Sequence, residues 1–208
     1  MSGISQHLLD VSEDLTARLL AILDAPLHND LHRTRVSHLA SSLALAHGNA
    51  CRTLFALGMV PSGLVVHRAQ YEATVRAVWV LYAASDVDVE KLATALVAES
   101  EQAAKNLPSV AGMMQVLSVK APSRPYQALA NFKVNSWKPL NSFVHAGIHP
   151  LQRQQAGYPV PLIEQILRNC NGIAIVAAMQ AAVLTGNPVL VSQVGALQKS
   201  HSQCLPVE

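Results

Sequence analysis

Apolar residues recur every three to four positions along most of the chain. Ile4, Leu8, Val11, Leu15 and Leu19 predict a first helix over about 4–24, stopped near Pro26. Val36, Leu39, Leu43, Ala46, Ala50 and Leu54 define the inward face of a second helix over about 30–57, which ends at Gly58. Pro61 suits the start of a third, over about 61–84. Asp86 or Asp88 can cap a fourth, over about 88–105. Residues 106–124 read as a loop with a short helical piece. A helix over about 125–133 follows. Ser136 then reads as an N-cap, with Pro139 inside the permissive first turn. That helix starts at about 137 and ends by Gly147 or Ile148, because the residue before Pro150 avoids helical geometry. The stretch "HPLQRQQAGYPVP" reads as a loop, leading to a long helix over about 160–185. Gly186, Asn187 and Pro188 break it, and a last short helix over about 189–199 follows. No internal repeat and no alternating strand pattern interrupts this series. The prediction is a single all-α helical bundle domain over residues 1–200, of about six to seven helices, with a frayed tail over 201–208.

Composition sharpens this picture. Half of the 208 residues are apolar and 13% are charged, against a usual ~25% charged. Such a chain has little polar material to cover itself, so a homodimer is expected. Cys51, Cys170 and Cys204 are far apart and odd in number; each reads as a small buried hydrophobe in a reducing cytosol. The N-terminus has no basic stretch followed by an apolar run, so no signal peptide is expected. The most apolar run, "GIAIVAAMQAAVL", is shorter than the ~20 residues of a membrane span and reads as a buried core helix. The expected location is cytoplasmic, without a membrane partner.

The net charge is only +2, but it is unevenly spread. Residues 120–170 carry six Lys/Arg (Lys120, Arg124, Lys133, Lys138, Arg153, Arg168) against Glu164 alone. A local positive potential favours an anionic ligand.

Two polar ridges stand out in this apolar chain. In the third helix, Arg68, Glu72 and Arg76 fall within an arc of about 80° at ~100° per residue. The remaining faces are apolar, which marks a central helix with one charged seam. Glu72 can hold both guanidinium groups and leave one arginine with spare donors. In "NSFVHAGIHPLQR", Asn141, His145 and His149 are four apart, while Leu140, Val144 and Ile148 should face the core. Histidine serves as general acid or base, asparagine orients it, and arginine stabilises charge developing on phosphorus. Together they suit metal-free cleavage of RNA by its own 2′-hydroxyl. Two histidines four apart can also share a metal, but carboxylates to complete a site are scarce, so no metal and no cofactor is expected. No glycine-rich phosphate loop and no G-x-S-x-G motif is present.

The run "HRAQYEATVRAVWVLYAAS" with the later "LNSFVHAGIHPL" resembles uncharacterised bacterial proteins related to the HEPN superfamily, over about residues 30–185. The resemblance implies a compact, dimerising all-α bundle. It also implies a metal-independent ribonuclease or RNA-binding protein of a toxin–antitoxin, stress or phage-defence system. Asn141 and His145 match the polar-x-x-x-His part of the family signature, and Leu140 stands where the family has arginine. On this reading His145 is general base or acid, Asn141 orients it, and Arg76 and Arg68 clamp phosphate with Glu72 as support. His149, Lys138 and Arg153 bind substrate. The expected partners are RNA, a cognate antitoxin and a second copy of the chain. A second reading remains open: a non-catalytic helical binding or scaffold protein whose ridges form a buried polar network.

Overall fold

The computed structural model describes residues 4–99, 102 and 105–207. Among them there are helices and no strand. The order is α1 (Gln6–Ile22), α2 (His32–Ala56), α3 (Val60–Tyr82), α4 (Asp86–Ala93), α5 (Val110–Lys120), α6 (Ser123–Val144), α7 (Ile148–Ala156), α8 (Val160–Leu184) and α9 (Pro188–Ser200), then a 3-10 turn at Ser202–Cys204. The protein is an all-α helical bundle.

Helix α3 is the central element, as its near-continuous apolar surface predicts. It lies against α2, α5, α6 and α8. Helices α2 and α3 form a tight hairpin. Gly58 turns the chain at φ 76°, and Met59 N–H bonds back to Leu54 O at 2.8 Å. The pair then runs close because small residues face each other. A Cβ on Gly63 would lie 2.3 Å from the Phe55 ring, and one on Gly48 would lie 2.7 Å from Gln70 Nε2. Buried side-chain hydrogen bonds fix the neighbours. Gln180 of α8 donates to Ser37 Oγ at 3.0 Å, and Ser37 donates to Ala77 O of α3 at 2.8 Å. Asn171 of α8 donates to Ser12 Oγ of α1 and to Cys204 O, both at 2.8 Å.

Several elements differ from their predicted form. The phase of α2 is turned. Leu39 is 66% exposed, Leu43 51% and Leu57 69%, while Ser37, Ser41, Ala44, Gly48, Cys51 and Phe55 face the core. Close approach to α3 requires small inward residues, and the buried serines donate to main-chain carbonyls, so hydrophobicity misplaces the face. The predicted loop over 106–124 is mostly α5, capped by Ser109 Oγ accepting from Gly112 N–H. The two predicted helices on either side of Ser136 are one helix, α6, with Pro139 inside it. Burial of Leu129 and Phe132 before the proline and Leu140 after it holds the helix together. The fourth helix stops at Ala93, short of the predicted 105, and part of the predicted remainder lies outside the described residues.

Pro150 begins a helix rather than ending one. Helix α6 stops at Val144, Ala146 takes φ 49°, and Gly147 N–H returns to Ser142 O at 2.8 Å. Helix α7 starts at Ile148, so Pro150 sits in its first turn, where no intrahelical N–H is needed. Ile148 is therefore exposed, not a core residue. The C-terminal segment is docked rather than frayed: Cys204 is fully buried and His201 Nε2 lies 2.9 Å from Asp14 Oδ2. Helix α8, with 25 residues, is long and apolar enough to cross a membrane by length and composition. It is nevertheless largely enclosed by the bundle, and its buried Asn171 and Gln180 are hydrogen-bonded within it.

Gly63→Ala should cost about 3 kcal/mol in overpacking against Phe55, partly offset by ~1 kcal/mol of helix propensity. A net loss of about 2 kcal/mol lowers Tm by roughly 4–8 °C for a chain of this size. Gly195, in α9, has open space around its Cβ position. Gly195→Ala should raise Tm by about 2–4 °C. Thermal melts of the two variants check both signs.

Candidate functional site

The charged seam of α3 faces a cleft of about 320 Å³. Arg68, Glu72 and Arg76 form one wall, Trp137 of α6 a second, and Pro108, Ser109, Val110 and Ala111 at the start of α5 the third. Each side chain has a local reason to be there. The three charged residues are one turn apart on a partly exposed strip of α3. Trp137 is placed by an aromatic stack: Phe132 lies 4.6 Å from Tyr71, and Trp137 lies 5.6 Å from Tyr71. Tyr71, fully buried, donates its hydroxyl proton to Leu129 O at 3.0 Å and so pins α6 to α3.

The two arginines differ. Arg68 pairs with Glu72 at 2.9 Å, and its guanidinium lies 4.9 Å from the Trp137 ring centre. This cation–π contact holds it in place. Its buried Nε has no hydrogen-bond partner. Arg76 makes no hydrogen bond or ion pair with any described residue. Burial pulls its pKa below the usual arginine value, against the more distant Glu72 charge, yet a guanidinium stays protonated at neutral pH. A half-buried cation whose nearest counter-charge is held by another arginine costs stability. Opposite it stands the first turn of α5, where Ser109 Oγ takes the Gly112 N–H and the macrodipole places about half a positive charge. Two guanidinium groups, a helix N-terminus and an indole face enclose a volume suited to a phosphate or carboxylate group.

The other predicted residues lie elsewhere. Asn141 and His145 are not part of the cleft's lining, and neither are Lys138, His149 and Arg153. Asn141 is half-buried near the end of α6. His145 is the exposed C-cap residue of that helix, and His149 is exposed in the first turn of α7. The predicted ridge is broken between them by the reversal at Ala146 and Gly147. Lys138 is exposed on α6 beside Trp137 in sequence, and Arg153 is half-buried on α7. The sequence thus points to one wall of the cleft, Arg68–Glu72–Arg76, and misses Trp137 and Ser109. A serine ahead of the apolar run Val110–Leu117 was the available signal for the second.

A family profile matches residues 41–207, and the family is described as a family of unknown function (DUF6988). The chain belongs to this family. The match spans α3, α5 and α6, so every wall of the cleft lies within the family region. No curated protein and no solved structure matches the chain.

Arg76→Met removes an unpaired cation, so Tm should stay unchanged or rise by a degree or two. Arg68→Met leaves Glu72 without its partner and strips the indole of its cation, so Tm should fall by several degrees. Melts in low-anion buffer separate the two; an equal loss for both would make Arg76 a structural residue.

Proposed function

We propose that the protein binds RNA through its phosphates at the Arg68–Arg76–Trp137 cleft, as an HEPN-like binding protein of a bacterial stress or defence system. The observation that carries this reading is Arg76, a half-buried guanidinium that makes no hydrogen bond or ion pair with any described residue, set in the cleft that the start of α5 also lines. The half-buried Trp137 in the wall suits a single strand, since bases stack on aromatic side chains. Four basic residues of segment 120–170, Arg124, Lys133, Lys138 and Arg153, extend the favourable field along α6 and α7.

Binding rather than cleavage is favoured by the position of the imidazoles. His145 sits in solvent at a chain reversal, outside the lining of the cleft. A general base needs to come within hydrogen-bond reach of the proton it takes. Fluorescence anisotropy with a single-stranded oligoribonucleotide tests the proposal. Arg76→Met should weaken binding at least about tenfold and lower the salt slope by about one. The oligonucleotide should remain intact in the presence of a chelator. Cleavage that His145→Ala abolishes would overturn the non-catalytic assignment, and unchanged affinity of Arg76→Met would remove the cleft from it.

A specific observation favours a second role, self-association. Leu39, Leu43, Ala46, Ala50, Leu54 and Leu57 form an outward stripe along α2 at the three-to-four-residue spacing of a helix–helix seam. Two copies can bury this stripe against each other about a twofold axis. Leu39→Glu with Leu43→Glu should convert a dimer to a monomer in analytical ultracentrifugation while leaving the helical circular-dichroism signal intact. A monomeric wild-type protein at the same concentration would sink the idea.

A further inference from the structure

On the side of α3 turned away from the cleft, four residues from three helices meet in the core. They are Cys51 of α2, His67 and Gln70 of α3 and Cys170 of α8, all of them buried. The two sulfurs and a ring nitrogen of His67 lie within 4.8 Å of one another. Gln70 Oε1 lies beside this group, 2.9 Å from His67 Nδ1 and 3.2 Å from Cys170 Sγ. Its own orientation is fixed, because Gln70 Nε2 donates to Cys170 O at 3.0 Å. The other imidazole nitrogen, Nε2, is buried without a hydrogen-bond partner.

We infer that Cys51, Cys170, His67 and Gln70 form a zinc site, with two thiolates, one imidazole nitrogen and one amide oxygen as donors. Two thiolates and an imidazole are the donor types zinc takes in structural sites. Tetrahedral bonds of about 2.3 Å to sulfur and 2.0–2.1 Å to nitrogen set donor separations of roughly 3.5–3.8 Å. The sulfur and ring-nitrogen separations, all within 4.8 Å, contract to these values when the ion binds.

Charge supports the same ion. Zinc displaces one proton from Cys51 and one from Cys170, and the two thiolates balance its two positive charges. The core keeps zero net charge, which spares it the cost of a buried ion. A singly charged ion would leave a negative core. Gln70 keeps its amide nitrogen on the Cys170 carbonyl and turns its oxygen toward the ion. Neither thiol reaches solvent, so the ion enters as α2, α3 and α8 assemble.

Metal analysis of protein produced in zinc-supplemented medium tests the site and does not depend on any activity. About one zinc per chain is expected. Refolding with cobalt(II) should give thiolate-to-cobalt charge-transfer absorption and the intense visible bands of a tetrahedral ion. Cys51→Ala with Cys170→Ala should lose both signals. Cys204→Ala, at the third buried cysteine, should keep them. Wild-type protein refolded with a chelator should melt several degrees lower. Only trace zinc together with an octahedral cobalt spectrum would overturn the site. Equal metal retention by the double variant, or a wild-type mass showing a Cys51–Cys170 disulfide, would overturn it too. If the double variant does not fold, the wild-type metal content and cobalt spectrum decide.

Discussion

The close approach of α2 to α3 governs the rest of the bundle. Phe55 lies against the bare Cα of Gly63, and the Gln70 amide lies over Gly48. A side chain at either glycine would push the helices apart and open the densest part of the core. Polar groups in this core reach across to α3 or from it: Ser37 of α2 donates to Ala77 O, and Gln70 donates to Cys170 O of α8. In a low-dielectric interior each lost partner costs about 1–3 kcal/mol, so these short links fix the rotation of α3 about its axis. With that rotation fixed, α2, α8 and α6 cover most of α3. The uncovered strip is the one carrying Arg68, Glu72 and Arg76. The cleft is thus the remainder of an enclosure problem, closed on its open side by α5 and Trp137.

The helical class, the central position of α3 and the grouping of its charged seam were legible because they depend on a single period. Chain ends at Gly58, Gly186 and Pro188 were legible because those residues prevent or permit particular backbone angles. The phase of α2 was not. Its larger apolar residues, Leu39 and Leu43, point outward, and its inward positions are serine, alanine, glycine and cysteine. Hydrophobicity ranks side chains by transfer from water, whereas the α2–α3 seam selects by volume. Proline misled twice for a related reason. At Pro139 the anchoring of Leu129, Phe132 and Leu140 outweighs one missing hydrogen bond; at Pro150 no bond was needed.

The histidine ridge shows how a correct spacing fails at a chain reversal. Four-residue steps align side chains only while the helix continues. Ala146 leaves the helical region at φ 49°, and His149 belongs to the next helix. His145 and His149 therefore stand on different axes. By contrast, Cys51 and Cys170 carry no spacing signal, being 119 residues apart by their numbering, and they converge because α2 and α8 both flank α3. Tertiary convergence of distant single residues is the part of a site that periodicity cannot carry.

Helix α3 holds both polar groups, on different sides of one cylinder. At ~100° per residue, His67 and Gln70 are about 60° apart, while Arg68 and Arg76 point roughly 100–180° away from His67. The backbone cylinder and its packed side chains separate the buried thiols from the cleft, so neither group screens or titrates the other directly. Loss of charge at Arg76 leaves the sulfur cluster's hydrogen bonds untouched. Conversely, filling the sulfur cluster with a zinc ion balanced by two thiolates adds no net charge to the field in the cleft. What the two share is mechanical: the buried side fixes how α3 is turned, and that rotation aims the guanidinium groups at the start of α5.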